Sequence, residues 1–448
     1  MIDWLLSTSY IWFCVLVSVG LFFIRSDKTA KRVTLFATVI LLTGCVLFRW
    51  WAHLDRLSVI MVCVTVGSFS WVTLFTHRFS IARYSRFFAW IFLLEASLLG
   101  LFATEYLWGF YLFWECSLIP VLLLMMGWGD QNTNKNTFRF LMVTISGSIL
   151  LLASLIFLSV QIPLPLSMMT FAGLTILYLP VGIQLILAGL LVIPFLIKMP
   201  IFPFHSWQIP LYESAPLPLL LLLAAVMSKM GLYGLFRFLP IMAEGLHVFR
   251  YGFLALALTG VFYASWLALR QPNPIRLLAF SSVAHLSFYV AGFFTFNACG
   301  WYGSVFQLIG HSVCVLGLLG VIALIQVRTG AKKWDQISGL KEQHPLLNTL
   351  FFCIVLGSIA FPLTGGFIGE IFILKGLAQV QILMAVLGGS TLVFGAWYML
   401  RLVRQISFNP ISGTKTMVVY WHELLLIGLL VGATFVMGIF PSCIAIMR

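Results

Sequence analysis

Apolar runs of about 20 residues recur from one end of this chain to the other, each long enough to carry an α-helix across the hydrocarbon core of a bilayer. Hydrophobic residues make up 61% of the 448, charged residues 9%, and the mean hydropathy is +1.06, values that exclude a soluble domain of this length. No polar segment is long enough to fold outside a membrane. The N-terminus lacks the basic region that precedes the apolar core of a cleavable signal peptide. The expected fold class is an all-α polytopic membrane protein.

Fourteen spans are expected, near 8–24, 33–50, 57–76, 86–104, 107–128, 138–160, 181–203, 214–236, 250–270, 275–296, 301–327, 346–367, 381–402 and 419–440. The net charge of +13 suggests nucleic-acid binding at first sight, but the basic residues sit in short loops, where they set topology. Eighteen fall in odd-numbered loops, from Arg25, Lys28, Lys31 and Arg32 after span 1 to Arg401, Arg404 and Lys415 after span 13. Four, Arg49, Arg56, Arg237 and Arg250, fall in even-numbered ones. That bias puts odd loops on the cytoplasmic or matrix side and both termini on the other. The linker 328–345 reads as a connecting segment, and 161–180, with Pro163, Pro165 and Pro180, as a short surface segment.

Two spans carry helix breakers at matching places. Span 7 breaks at Pro200 and Pro203, and span 12, five spans later, at Pro362, Gly365 and Gly366. Such spacing points to an inverted repeat with a pathway at broken helices. The expected division is three N-terminal helices over 1–85, a first five-helix repeat over 86–236, a second over 250–406, and helix 14 in 407–448.

A few ionisable residues cannot be assigned to loops: Glu95, Glu115, Lys198, Lys229, His285 and His311 within spans, and Glu370 and Lys375 after the break in span 12, with His205 just past the span 7 break. A Lys at mid-membrane costs roughly 2.5–3.5 kcal/mol even on lenient insertion scales, so it is rarely placed there without a role. Carboxylates, lysines and histidines spread over many spans are what a proton relay needs, since each can hold and release a proton. Plainer readings stand beside this one. Glu115 is alternatively a structural carboxylate neutralised by a lysine, the lysines snorkel to an interface, and each His bonds a backbone carbonyl. Glu95 and Lys375 are equally readable as helix-partner contacts.

The eight cysteines are scattered, with no CxxC pair, and neither an iron–sulfur nor a zinc site is suggested. No GxxxxGK loop, strand-borne GxGxxG or HExxH is present to hold a nucleotide, a flavin or a catalytic metal.

Several stretches resemble a known family. Phe110-Tyr-Leu-Phe-Trp-Glu-Cys-Ser-Leu-Ile-Pro120, Lys198-Met-Pro, His205-Ser-Trp, Ala224-Ala-Val-Met-Ser-Lys-Met-Gly-Leu-Tyr-Gly234, Ser281-Ser-Val-Ala-His285 and Gly369-Glu370 are similar to the antiporter-like membrane subunits of respiratory complex I. The resemblance runs from about residue 100 to 440 and implies fourteen helices, with two inverted five-helix repeats and broken helices 7 and 12. It also implies proton translocation coupled to NADH:ubiquinone electron transfer in other subunits. Carried over by position, Glu115 and Lys198 match the family's carboxylate–lysine pair and Lys229 its central lysine. His285 and His311 match its bridging histidines, and Glu370 its distal carboxylate on the exit side.

The resemblance implies no cofactor on this chain, with NADH, flavin, iron–sulfur clusters and quinone in partner subunits. The implied partners are other membrane-arm subunits, neighbouring antiporter-like ones among them, and membrane lipids including cardiolipin, with no nucleic acid. A short chain without extra terminal helices suits an organelle-encoded protein of the mitochondrial inner membrane, both termini on the intermembrane-space side. Two departures stand at loop ends and bear on proton entry. The family's Leu-Pro-x-Ala-His turn reads Ile209-Pro-Leu-Tyr-Glu-Ser-Ala-Pro216, with Tyr212 at the usual His, and Gln-Thr-Asp-x-Lys reads Gln271-Pro-Asn-Pro-Ile275. The nearest rival is a stand-alone sodium/proton antiporter subunit of the same family. A haem-bearing subunit with His285 and His311 as axial ligands is a third reading.

Overall fold

The computed structural model describes residues 2–47, 54–130, 132–162, 169–175, 179–330, 339–408 and 417–443. Arg49, Pro163, Pro165, Lys332, Lys333, Lys415 and the 331–338 part of the linker lie outside the described residues, as does the Cys443 side chain.

Among the described residues the chain is helical, without a strand; one isolated antiparallel bridge joins Tyr106 and Thr170. The helices are α1 (Ile2–Phe23), α2 (Asp27–Leu47), α3 (Arg56–Thr76), α4 (Tyr84–Ala103), α5 (Leu107–Cys116), α6 (Leu118–Trp128), α7 (Thr133–Gln161), α8 (Phe171–Thr175), α9 (Val181–Lys198), α10 (Gln208–Ser214) and α11 (Leu217–Ala225). They continue with α12 (Met230–Leu269), α13 (Pro274–Phe293), α14 (Ala298–Thr329), α15 (Leu340–Gln343), α16 (Pro345–Ser358), α17 (Gly365–Val380), α18 (Ile382–Val403) and α19 (Trp421–Ile439).

Ten stretches among the described residues are long and apolar enough to cross a membrane, one of them the 53 residues Leu217–Leu269 that hold expected spans 8 and 9. Each expected span overlaps a described helix, with 48–50 of the second outside the described residues. The protein is a multi-pass, all-α membrane protein.

The helices group into two compact units. Unit 1 comprises Met1–Met199 and Ser214–Val248; unit 2 comprises Pro200–Glu213 and Phe249–Arg448. In unit 1, α1 packs on α4, where Ser18 donates to the Ala89 carbonyl at 2.8 Å, and α7 packs on α9. The Tyr233 hydroxyl of α12 donates to the Phe102 carbonyl at 3.0 Å and meets the Ser58 hydroxyl at 2.9 Å, tying α12 to α4 and α3. In unit 2, α14 packs along α17 and α13.

Local chemistry sets the helix ends. Asp55 accepts from the Ser58 N–H at 2.9 Å to start α3, and Asn297 accepts from Gly300 N–H at 2.8 Å to start α14. Asn273 accepts from Ile275 N–H at 2.8 Å, with Pro274 as the first residue of α13. The divergent Gln271–Ile275 stretch is thus a well-formed helix start.

Besides the single-residue step at Ser117 between α5 and α6, three spans are interrupted over several residues. After α9 the chain turns through 199–203, with a cis Phe202–Pro203 bond, into a short 3-10 turn over Phe204–Trp207 and then α10. The Ile209–Pro216 stretch, read from sequence as a turn, therefore lies mostly on a helix. Gln208 and Leu211 are fully buried there, so the helix is held by packing that periodicity over seven residues does not reveal. Between α16 and α17 the residues 359–364 leave the helix, and Ala360 (φ 54°) and Leu363 (φ 73°) occupy the left-handed region, at roughly 1–2 kcal/mol each. Span 12 is thus longer than expected, running to Val380 on the far side of its break. The third interruption was not expected: α11 stops at Ala225, Val226 takes φ −120° and ψ −55°, and a 3-10 turn over Met227–Lys229 leads into α12.

Small residues set how closely helices approach. A Cβ on Gly231 would stand 2.2 Å from the Phe195 carbonyl oxygen, so α12 starts in direct contact with the end of α9. Gly231→Ala is therefore expected to destabilise the protein by about 1–3 kcal/mol. Gly189→Ala, on α9 with nothing within 4 Å of the new methyl, should leave it unchanged or slightly firmer. Thermal unfolding of the two purified variants checks this; equal melting temperatures would mean that α9 and α12 do not meet at Gly231.

Candidate functional site

The ionisable side chains singled out from the sequence divide between the two units; Glu115, Lys198 and Lys229 sit at helix interruptions, where backbone carbonyls lose their usual donors. In unit 1 the break before Lys229 shows how such a carbonyl is met. The Ala224 carbonyl receives the Ser228 hydroxyl at 2.9 Å and the Lys229 ammonium, which also reaches the Ser228 hydroxyl at 3.1 Å. Lys229 is fully buried, so it does not snorkel.

Lys198 ends α9 at the next interruption and is 2% exposed. Its ammonium has no hydrogen-bond partner among the described residues and stands 5.1 Å over the centre of the Trp114 ring. Such a contact is worth roughly 2 kcal/mol when desolvated, a partial replacement for lost water. Trp114 is held by its own N–H donating to the Ser148 hydroxyl of α7 at 3.3 Å and by edge contact with Phe195 at 5.8 Å. Glu115, the next residue, is partly buried with one carboxylate oxygen unpartnered, and its charge is close enough to act on Lys198. No ion pair within 4.0 Å joins them among the described residues. Pro120 lies four residues after Cys116, where it leaves that carbonyl without a helical donor, and the helix is interrupted at Ser117. Glu95 is 2% exposed on α4, with one carboxylate oxygen unpartnered, near Cys14 of α1.

Unit 2 holds a second cluster. Glu370 of α17, 3% exposed, places a carboxylate oxygen 3.5 Å from His285 Nδ1 of α13, a contact too poorly aligned to be a hydrogen bond. His285 Nε2 is 3.4 Å from the Tyr398 hydroxyl of α18, which accepts from the Ser281 hydroxyl at 3.2 Å. The His311 ring of α14 lies 5.9 Å from that of His285 and edge-on to Tyr289 at 5.8 Å. Gly303 permits this gathering: a Cβ there would stand 2.6 Å from the Gly369 carbonyl oxygen, so α14 and the Glu370 turn of α17 touch. Gln307 donates to the Gly366 carbonyl at 2.8 Å, tying α14 to the first turn of α17.

The structure thus brings Glu115 beside Lys198, and Glu370 beside His285 and His311. Glu370, expected as the distal carboxylate, sits against His285. His205 is buried among the rings of Phe202, Tyr263 and Phe280. Lys375 is exposed and is not one of the buried charges. Five residues separate it from Glu370, about 140° around a helix of 3.6 residues per turn, which points the two away from each other. Both ring nitrogens of His285 face other side chains, Glu370 and Tyr398, which does not fit an axial haem ligand. Among the described residues no group of three or more His, Cys, Asp or Glu is arranged to hold a metal ion. Glu213, in the divergent stretch after the span 7 break, pairs with Arg276 at 3.7 Å and accepts from Asn273 at 3.4 Å.

Trp114, Ser148, Ser281, Tyr289 and Tyr398 complete these clusters and were not singled out by sequence as functional residues in their own right. Trp114 and Ser281 stand within the resembling motifs. The others have no charge and no helix breaker to mark them. Chemically, each unit offers buried titratable groups, with the Ser228 hydroxyl on Lys229 in unit 1 and the Tyr398 hydroxyl on His285 in unit 2.

Comparison with known proteins gives consistent relatives. Residues 103–391 match the family model described as NADH:quinone oxidoreductase/Mrp antiporter, TM. NADH-quinone oxidoreductase subunit M of Rickettsia conorii is 30% identical over 400 residues, covering 87% of this chain and 80% of that protein. NADH-ubiquinone oxidoreductase chain 4 of Acanthamoeba castellanii is 29% identical over 367 residues, covering 81% and 72%. Among solved structures, a chain of respiratory complex I from Thermus thermophilus with bound NADH superposes with a TM-score of 0.89 at 23% identity, over 98% of this chain and 96% of that one. That likeness speaks to the fold.

A buried ammonium without an acceptor should cost stability. Lys198→Met, which keeps the length and packs a thioether on Trp114, is expected to stabilise the fold by about 1–4 kcal/mol. A lower melting temperature for the purified variant would mean that the lysine is held by a stabilising pair instead.

Proposed function

The chain belongs to the family of NADH:quinone oxidoreductase and Mrp antiporter transmembrane subunits, and on that premise we propose that it is a proton-translocating membrane-arm subunit of respiratory complex I. The observation that carries this reading is the set of ionisable groups buried in apolar helices: Lys198 without a hydrogen-bond acceptor and Lys229 on a freed carbonyl, both at helix interruptions, and His285 against Glu370. Structural ion pairs would be closed; these are open to a change of partner.

In unit 1, a proton arriving on Glu115 removes the charge that favours the ammonium on Lys198, and Lys198 then releases its own proton. Lys229, held by hydrogen bonds to the Ala224 carbonyl and the Ser228 hydroxyl, gains and loses a proton on its own Nζ. In unit 2, His285 exchanges with Glu370 on one side and, through Tyr398, with Ser281 on the other, with His311 beside it; Glu370 is the exit-side group. Moving one charge against 100 mV costs about 2.3 kcal/mol. At 1.36 kcal/mol per pKa unit, a partner that changes charge supplies this by altering its neighbour's pKa by roughly 1.7.

The redox chemistry, with NADH, flavin, iron–sulfur clusters and quinone, belongs to partner subunits, and other membrane-arm subunits flank this one. The interruptions at 199–203 and 359–364 support two inverted five-helix repeats over 86–236 and 250–406. Ala103-Thr-Glu105 ahead of the Phe-Trp-Glu motif supports the finer identity, chain 4 of a mitochondrial enzyme, and the amoebal relative of that name is in keeping with it. The loop charge bias supports an inner-membrane topology with both termini on the intermembrane-space side.

Lys229→Ala is expected to abolish NADH-driven proton pumping by the complex in sealed vesicles and to lower coupled electron transfer, while the complex still assembles. Normal pumping by that variant would end the relay assignment. The family description also spans antiporters; sodium-dependent proton exchange by this chain without an NADH-oxidising partner would favour that second reading.

A further inference from the structure

Away from the buried clusters, unit 1 has a cavity of 550 Å³ lined by Phe22, Phe23, Ile24, Arg25, Asp27, Arg83, Ser85 and Arg86. We propose that this cavity binds the phosphate headgroup of an anionic phospholipid whose acyl chains lie along α1.

The charges select an anion. Three arginines face one aspartate. Arg25 and Arg86 are exposed and form no ion pair within 4.0 Å among the described residues. Arg83 is anchored instead, donating to the Gly127 carbonyl at 3.0 Å with its guanidinium 4.8 Å over Trp128. The cavity also lies at the N-terminal ends of two long helices, α2 from Asp27 and α4 from Tyr84, whose free N–H groups and dipoles favour negative charge. The opposing end of α1 is partly quenched, because the Ser85 hydroxyl donates to the Leu21 carbonyl.

The walls select a lipid over a free anion or an acidic peptide. Phe23 is 81% exposed at the rim, Phe22 is 38% exposed and packs edge-on to Trp90 at 4.9 Å, and Leu16, one to two turns back on α1, is 68% exposed. An apolar track therefore leads from the cationic end along a membrane-spanning helix, which matches a phosphate joined to hydrocarbon. The cavity also belongs to the loops carrying the basic excess, the side on which pockets between helices hold anionic headgroups.

The test uses the intact complex and a phosphatidylglycerol bearing a photoactivatable acyl chain. Irradiation should label peptides containing Leu16 to Phe23, and excess unlabelled phosphatidylglycerol should compete where phosphatidylcholine and millimolar inorganic phosphate do not. Arg25→Gln with Arg86→Gln should cut the labelling at least fivefold, and Arg25→Lys with Arg86→Lys should keep more than half of it. Competition in the unaltered complex reports even if the Gln pair fails to assemble. No labelling at these residues overturns the proposal. So does equal competition by phosphatidylcholine, which would indicate a merely greasy surface, or by inorganic phosphate, which would indicate a free-anion site. Unchanged labelling of the Gln pair overturns it as well. None of these outcomes bears on proton pumping.

Discussion

In hydrocarbon, a backbone carbonyl without a donor has no water to fall back on, and that constraint governs this protein more than any single contact. It makes the chain helical throughout its spans. It also fixes what is needed wherever a helix is interrupted. At Val226–Lys229 the released Ala224 carbonyl is taken by a hydroxyl and an ammonium. At that break one proposed proton carrier, Lys229, is also what makes the interruption tolerable, so function and fold share the same atoms there. Lys198, without a hydrogen-bond acceptor, and His285, inside the unbroken α13, are buried without that second role.

Much of this was legible in the residues. A span needs only apolar length, so the helical character of the spans was legible, and a lone Lys or Glu in an apolar run marks itself. Two of the three interruptions carried prolines and glycines. The third had no such mark: Ala-Ala-Val-Met-Ser-Lys-Met reads as good helix, and only the competing side chains of Ser228 and Lys229 account for its break. The α10 helix was missed because its prolines suggested a turn while tertiary packing held it helical.

The site was legible by residue and not by arrangement. Which charges share a cluster depends on contacts between distant spans, as when Gly303 lets α14 meet α17 and Glu370 comes to His285. Tyr398 was invisible because an aromatic in an apolar run has the signature of ordinary core. Lys375 was misread for the opposite reason: charge drew attention to it, and only the helical turn between it and Glu370 shows that it faces away.

One side chain deserves a mechanical reading. The Phe195 ring touches Trp114, on which Lys198 rests, and fills the space against Gly234, while its carbonyl oxygen abuts Gly231, two residues beyond Lys229. It is a rigid wedge between the seats of two cations. Any tilt of that wedge displaces both seats in one stroke, so the two lysines are geared to each other through a side chain that itself never carries a charge.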